Sequence, residues 1–223
     1  MKRTLMIKKK PNFVEYLTYL FGKYGIDFTT EESEKELAFI FDADDDKYGE
    51  IVSNAIVKFL KFEEISKFYK LTGEEDVKLY SYLGTVASLD NEEEKDLIIN
   101  HSLPDVLSLE GFYNFCLTDL QKVWISLAEV TKKLYEQCLC KEDVYALNVY
   151  FFSIENIGRR TIVVDDGLFY EDNGERIHVI DFVFDREKNL AFNLFLNRPD
   201  RIVIPDISGF SQEFLDFITG LGE

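Results

Sequence analysis

The amino-acid sequence predicts an α+β fold. A helical middle, with a helical hairpin and further helices, is flanked by a small N-terminal α/β lobe and a C-terminal α/β portion containing a β-hairpin. Three observations carry this. Between residues 44 and 154, apolar positions recur every three or four residues, the spacing of amphipathic helices. Before residue 43, a strand-like run, a helical run and two more strand-like runs follow one another. After residue 155, β-branched residues and an Asn-Gly turn take over. The expected portions are residues 1–43, 44–154 and 155–223. No low-complexity linker separates them, so a shared core is expected.

In the N-terminal lobe, Arg3–Lys9 is short and apolar between basic ends, as a strand can be. Pro11 suits the first turn of a helix, where its missing N–H costs nothing. Phe13, Val14, Leu17, Leu20 and Phe21 then repeat at helical spacing to Tyr24, and Gly25 can close the helix in the left-handed region. Ile26–Thr29 and Glu36–Asp42 read as strands. In the second, Leu37, Phe39 and Phe41 alternate with Ala38 and Ile40, so a strand covered on both faces is expected.

The middle opens on Asp42-Ala43-Asp44-Asp45-Asp46, which invites comparison with a calcium loop. An EF-hand loop needs Gly sixth and Glu twelfth, where Lys47 and Ser53 stand. Carboxylates complementing a helix dipole are the alternative. From Lys47 to Leu71, Ile51, Ala55, Phe59, Phe62 and Ile65 keep helical spacing, with a bend expected near Phe62. Thr72-Gly73-Glu74-Glu75 and Asp90-Asn91-Glu92-Glu93 have the form of capping boxes, each opening a helix. Pro104 breaks the pattern before Val106 and Leu107, and residues 44–154 as a whole read as a run of helices.

Leu109–Ile154 is the segment around which the rest is organised. Leu117, Leu120, Trp124, Leu127, Leu134 and Cys138 line one side of a helix, interrupted by Thr131, with Thr118 and Gln121 as its capping box. Trp124 is expected in the core. From Lys141 to Ile154, Val144, Tyr145, Leu147, Val149, Phe151, Phe152 and Ile154 leave little polar surface. That helix is expected to be buried on most sides and paired with its predecessor as a hairpin.

In the C-terminal portion Thr161–Val164 is β-prone, Asp165-Asp166-Gly167 is a turn, and Asp172–Glu175 joins two strand-like runs with an Asn-Gly hairpin signal. Leu190–Leu196 reads as a short helix and Arg201–Ile204 as a strand. Ser211 can cap a last helix that ends at Gly220.

The 223 residues carry a net charge of −17, with 46% hydrophobic and 15% aromatic residues. Such a chain has enough apolar surface to fold. The charge argues against non-specific binding of nucleic acid or anionic membrane and allows a basic partner or simple solubility. No apolar run approaches the ~18 residues of a membrane span, and Met1–Ile7 is followed by lysines instead of a signal-peptide core, so the cytoplasm is expected. Three cysteines, Cys116, Cys138 and Cys140, imply reduced thiols, and Cys138-Leu139-Cys140 lacks the second pair a zinc site needs. His101 and His178 form no metal-binding spacing. No phosphate loop, nucleophile elbow or dinucleotide fingerprint occurs. Arg159, Arg160, Arg198 and Arg201 remain as candidates to hold a carboxylate or phosphate, with surface ion pairing as the alternative.

From Phe112-Tyr113-Asn114-Phe115-Cys116-Leu117 through the Trp124–Cys138 and Val144–Phe152 helices, the β-prone Thr161–Val164 and Asn197–Ile204 with Phe214–Ile218, the chain resembles the YtxC-like family of sporulation proteins from spore-forming Firmicutes. The resemblance covers about half the chain. It implies a role in sporulation and carries no activity or functional residues. Cys116 stands where that family typically has Arg, and Cys138–Asp143 stands in place of its tyrosine-containing junction.

The expectation is therefore a non-enzymatic cytoplasmic protein of unknown molecular function. It would act in sporulation through contacts with an unknown protein partner, or as a homodimer formed through its aromatic helices, with no cofactor, metal, nucleic acid or membrane. The alternative is a small anionic-ligand-binding protein or enzyme whose site uses the four arginines.

Overall fold

The structure is a computed structural model describing residues 1–72, 75–154, 161–182, 185–199 and 201–219. In chain order its elements are β1 (Lys2–Lys8), α1 (Pro11–Lys23), β2 (Phe28–Glu32), β3 (Glu36–Asp42), α2 (Asp45–Ala55), a π-helical turn (Ile56–Leu60) and α3 (Lys61–Tyr69). There follow α4 (Val77–Ser88), α5 (Asn91–Ile99), β4 (Val106–Ser108), α6 (Leu109–Cys116), α7 (Thr118–Tyr135) and α8 (Lys141–Ile154). The chain ends with β5 (Thr161–Asp165), β6 (Leu168–Glu171), β7 (Arg176–Ile177), α9 (Arg186–Leu196), β8 (Arg201–Val203) and α10 (Gln212–Thr219). This is the expected α+β layout, with helices in the middle and strands toward both ends. The elements gather into two compact units, Met1–Glu64 with Asp90–Ser126, and Ile65–Leu89 with Leu127–Glu223.

The first unit holds a sheet of order β2-β3-β1-β4. β3 pairs antiparallel with β1 and β2, and β4 runs parallel to β1. The Phe21 ring on α1 lies 5.2 Å from Phe39 and 4.7 Å from Phe41, which fixes that helix over the inner face. Cover on both faces, expected for β3, is realised on one. Phe39 and Phe41 are buried, whereas Leu37, Ala38 and Ile40 are half-buried. β4 corrects the reading of an all-helical middle. Three residues are too few to show a period, and their partner strand lies about a hundred residues earlier, so only tertiary pairing reveals it.

Local chemistry explains most helix starts. Asp44 Oδ1 accepts from the Lys47 N–H at 2.8 Å, so the aspartate run caps a helix. Ser108 Oγ caps α6 through the Gly111 N–H at 3.3 Å. Gly25 closes α1 with φ +63°. Two expected capping boxes are corrected. Asp90 adopts φ +56° and makes no side-chain cap. Gln121 donates instead to the Tyr113 carbonyl at 2.6 Å. Where a bend was expected, the π turn stands just before Phe62; an extra residue in the turn rotates the side chains that follow.

The second unit has a sheet of order β7-β6-β5-β8, a meander to which β8 adds in parallel beside β5. The hairpin forms at the Asn-Gly signal, with Gly174 at φ +83° and its N–H on the Glu171 carbonyl at 2.9 Å. Ile162, Val164 and Phe169 of this sheet meet Phe195 of α9 and Phe214 of α10 in one buried cluster. Ser211 caps α10 through the Phe214 N–H at 3.2 Å, as expected.

α4 and α9 are in close contact. Its first turn is capped by Asp76, on the Leu79 N–H at 3.0 Å, in place of the expected Thr72; Gly73 and Glu74 of that box lie outside the described residues. A Cβ on Gly84 would meet the Phe192 carbonyl oxygen and sit 3.1 Å from the Leu196 nitrogen. On α9, Asn193 acts as a strand neighbour: its amide accepts from the Ile180 N–H at 2.8 Å and donates to the Ile180 carbonyl at 2.9 Å. Asn189 likewise accepts from the Phe182 N–H at 3.0 Å.

Two expectations for the central helices change. Thr131, read as a break in the α7 stripe, is 1% exposed. Its hydroxyl donates to the Leu127 carbonyl at 2.7 Å and accepts from Tyr69 at 3.1 Å, which satisfies it in the core. α8 is not buried on most sides. Val144, Asn148 and Phe151 form its buried face, while Val149 and Tyr150 are 41% and 58% exposed. Composition cannot distinguish an apolar face that is covered from one that is not. The side chains of Phe152 and Ile154 lie outside the described ones.

Candidate functional site

Of the four candidate arginines, Arg159 and Arg160 lie outside the described residues. Arg198 is 7% exposed, and its Nε donates to Ser88 Oγ at the end of α4 at 2.6 Å. It sits at φ +47°, just after α9. Arg201 begins β8 opposite Thr161 and is exposed. One side chain is therefore packed inward while the other meets solvent.

The first unit contains a buried polar group that sequence reading missed. Lys61 at the start of α3 has no exposed surface. Its ammonium donates to Glu94 of α5 at 2.7 Å and to Asn91 at 3.1 Å, and lies 5.8 Å from the centre of the Trp124 ring. The other Glu94 oxygen accepts from the Trp124 indole N–H at 2.7 Å. Tyr113 stacks on Trp124 with centroids 5.6 Å apart and donates to Glu64 at 3.1 Å. Burial pushes the Glu94 carboxyl upward, against the opposing pull of Lys61 and the indole. The signal was present in principle: Lys61 interrupts the stripe between Phe59 and Phe62, where a cation needs a partner. The partner's identity was not, since any of 42 acidic residues could serve. With Lys61 and Glu94 both sealed from solvent, this group orders α3, α5 and α7 against one another within the unit and offers no access to a substrate.

A second polar group lies nearer the surface. Arg3, 4% exposed, donates to both Asp45 and Asp105 and lies 4.8 Å from the centre of the Tyr48 ring. Tyr48 donates to the Pro104 carbonyl at 3.0 Å, and burial pushes its phenol up to about 12. Beside it opens a hollow of about 230 Å³ lined by Tyr48, His101 and Ser102 among others. A larger hollow of about 560 Å³ lies at the start of β2, between Ile26, Phe28 and Ile40, with Asp27, Asp42 and Lys2 at its wall.

Cys116 and Cys140 are exposed and Cys138 is half-buried. Among the described residues, no cluster of His, Cys, Asp or Glu could hold a metal ion. No helix there is long and apolar enough to cross a membrane. No protein-family model matches the chain, and no curated protein or solved structure matches it.

Proposed function

We propose that this protein works by binding another protein, not by catalysis, and does so in the cytoplasm of sporulating cells. The observation that carries the contact reading is the exposure of large apolar side chains on and just before α8. Val149 and Tyr150 are largely exposed, and Leu139, just before the helix, is 95% exposed. Side chains of this size left in water mark contact surfaces when they gather on one element. Glu142 and Asp143, exposed in the first turn of α8, favour a partner with lysines or arginines beside its apolar face over a second copy of this acidic chain. The sporulation setting is supported by the resemblance of Phe112–Phe152 and the segments after it to the YtxC-like family.

The test uses the full chain as bait in lysates of sporulating and vegetative cells, beside Tyr150→Glu. A protein captured only from sporulating cells and lost with Tyr150→Glu is the expected result. The variant should melt with the wild type, because Tyr150 is 58% exposed. Equal capture by both baits would overturn the reading. A dimer by light scattering that Tyr150→Glu dissolves would make the occupant a second copy.

A further inference from the structure

We propose that the outer edge of β2 takes up an extended, lysine- and arginine-rich segment of a partner protein as a fifth strand of the first sheet. This goes beyond the α8 reading and uses the other unit.

β2 ends the order β2-β3-β1-β4, so among the described residues one of its edges has no neighbouring strand. Every residue from Thr29 to Glu32 is exposed. The hairpin fixes which main-chain groups face outward. The Ser33 N–H donates to the Glu36 carbonyl at 2.9 Å, so 33 and 36 form a hydrogen-bonded pair. Such pairs alternate along an antiparallel ladder. With Glu31 opposite Ala38 and Thr29 opposite Ile40, these residues turn toward β3. Phe28, Thr30 and Glu32 then direct their N–H and C=O groups to the open edge, which is the template for strand addition.

Charge selects the occupant. Residues 27–36 hold Asp27, Glu31, Glu32, Glu34 and Glu36 against Lys35 alone. Pairing β2 with its counterpart in a second copy would set this acidic run against itself. A basic strand neutralises it, much as Lys9 already pairs with Glu32 within the chain. The hollow at the start of β2 adds a place for one long basic side chain. Ile26 and Ile40 can receive its methylenes and Asp27 and Asp42 its charge.

The probe is a fluorescent heptapeptide, Lys-Val-Arg-Val-Lys-Val-Arg, titrated into the full chain and read by anisotropy. Saturable binding that weakens with salt is expected, with a peptide of glutamates in the basic positions at least tenfold weaker. Thr30→Pro removes an outward N–H without touching the β3 ladder and should weaken binding at least tenfold. Glu31→Lys with Glu32→Lys should do the same and flatten the salt dependence. Hydrogen exchange on the wild type guards against a misfolded variant: the Phe28, Thr30 and Glu32 amides should slow when peptide is added. Absence of binding, unchanged exchange at those amides, or equal binding of the acidic peptide would overturn the proposal. Tyr150→Glu should leave peptide affinity unchanged, so failure here and failure at α8 read separately.

Discussion

Lys61 and Glu94 form a buried ion pair in which the carboxylate also holds an indole N–H. Burial raises the Glu94 carboxyl, so the folded chain keeps that proton to higher pH than the unfolded chain does. Stability from this group is thus full below the ordinary carboxyl value of ~4.3 and declines as pH rises through the folded value. Lys61→Met removes the charge that opposes the shift. It should cost about 3–5 kcal/mol at pH 7.5, with the loss shrinking as pH falls toward that ordinary value. Urea unfolding across this range checks it, and a cost that stays flat with pH would refute the account. At this scale the sequence was read well where a side chain follows its periodicity. Trp124, expected in the core, is fully buried. It was read poorly where a polar residue is satisfied by a distant partner, as with Lys61 and Thr131. Spacing reports which way a residue points and is silent on what it meets.

Two glycines show how packing sets the worth of an element's residues. Gly84 lies where α4 meets the α9 backbone, so Gly84→Ala forces the helices apart and should cost about 1–3 kcal/mol or more, as overpacking does. Gly22, inside α1, would meet nothing within 4 Å of an added Cβ. Gly22→Ala should stabilise by about 0.5–1 kcal/mol through helix propensity. Urea titrations of both variants decide this, and similar effects at the two sites would contradict it. Elements with strong local signals were readable: the Asp44 cap, the Asn-Gly hairpin and the Ser211 cap all appear. The misses share a cause. Asp76, Asp90 and Gln121 sit among several acidic or polar residues, any of which could cap, and neighbouring packing chooses between them. β4 is three residues long and exists through β1.

At the scale of the whole molecule, each unit is assembled from two stretches of chain, and residues 90–126 of one lie between the two stretches of the other. Periodicity identified the elements, while their grouping rests on contacts such as β1 with β4 and α4 with α9, which connect residues about a hundred apart. A fragment of residues 127–223 lacks α4, against which α9 packs. It should show little cooperative unfolding by circular dichroism, and a synthetic peptide of residues 65–89 added in trans should raise its helix content. Independent folding of the fragment would refute this dependence. The same threading has a consequence for the chain as it leaves the ribosome. α4 emerges about a hundred residues before α9, so at translation rates of roughly 5–20 residues per second it waits for about 5–20 s without the helix that covers Gly84. Through that interval the face of α4 that α9 later covers has no native partner yet synthesised, the kind of transiently bare surface that ribosome-associated chaperones exist to shield.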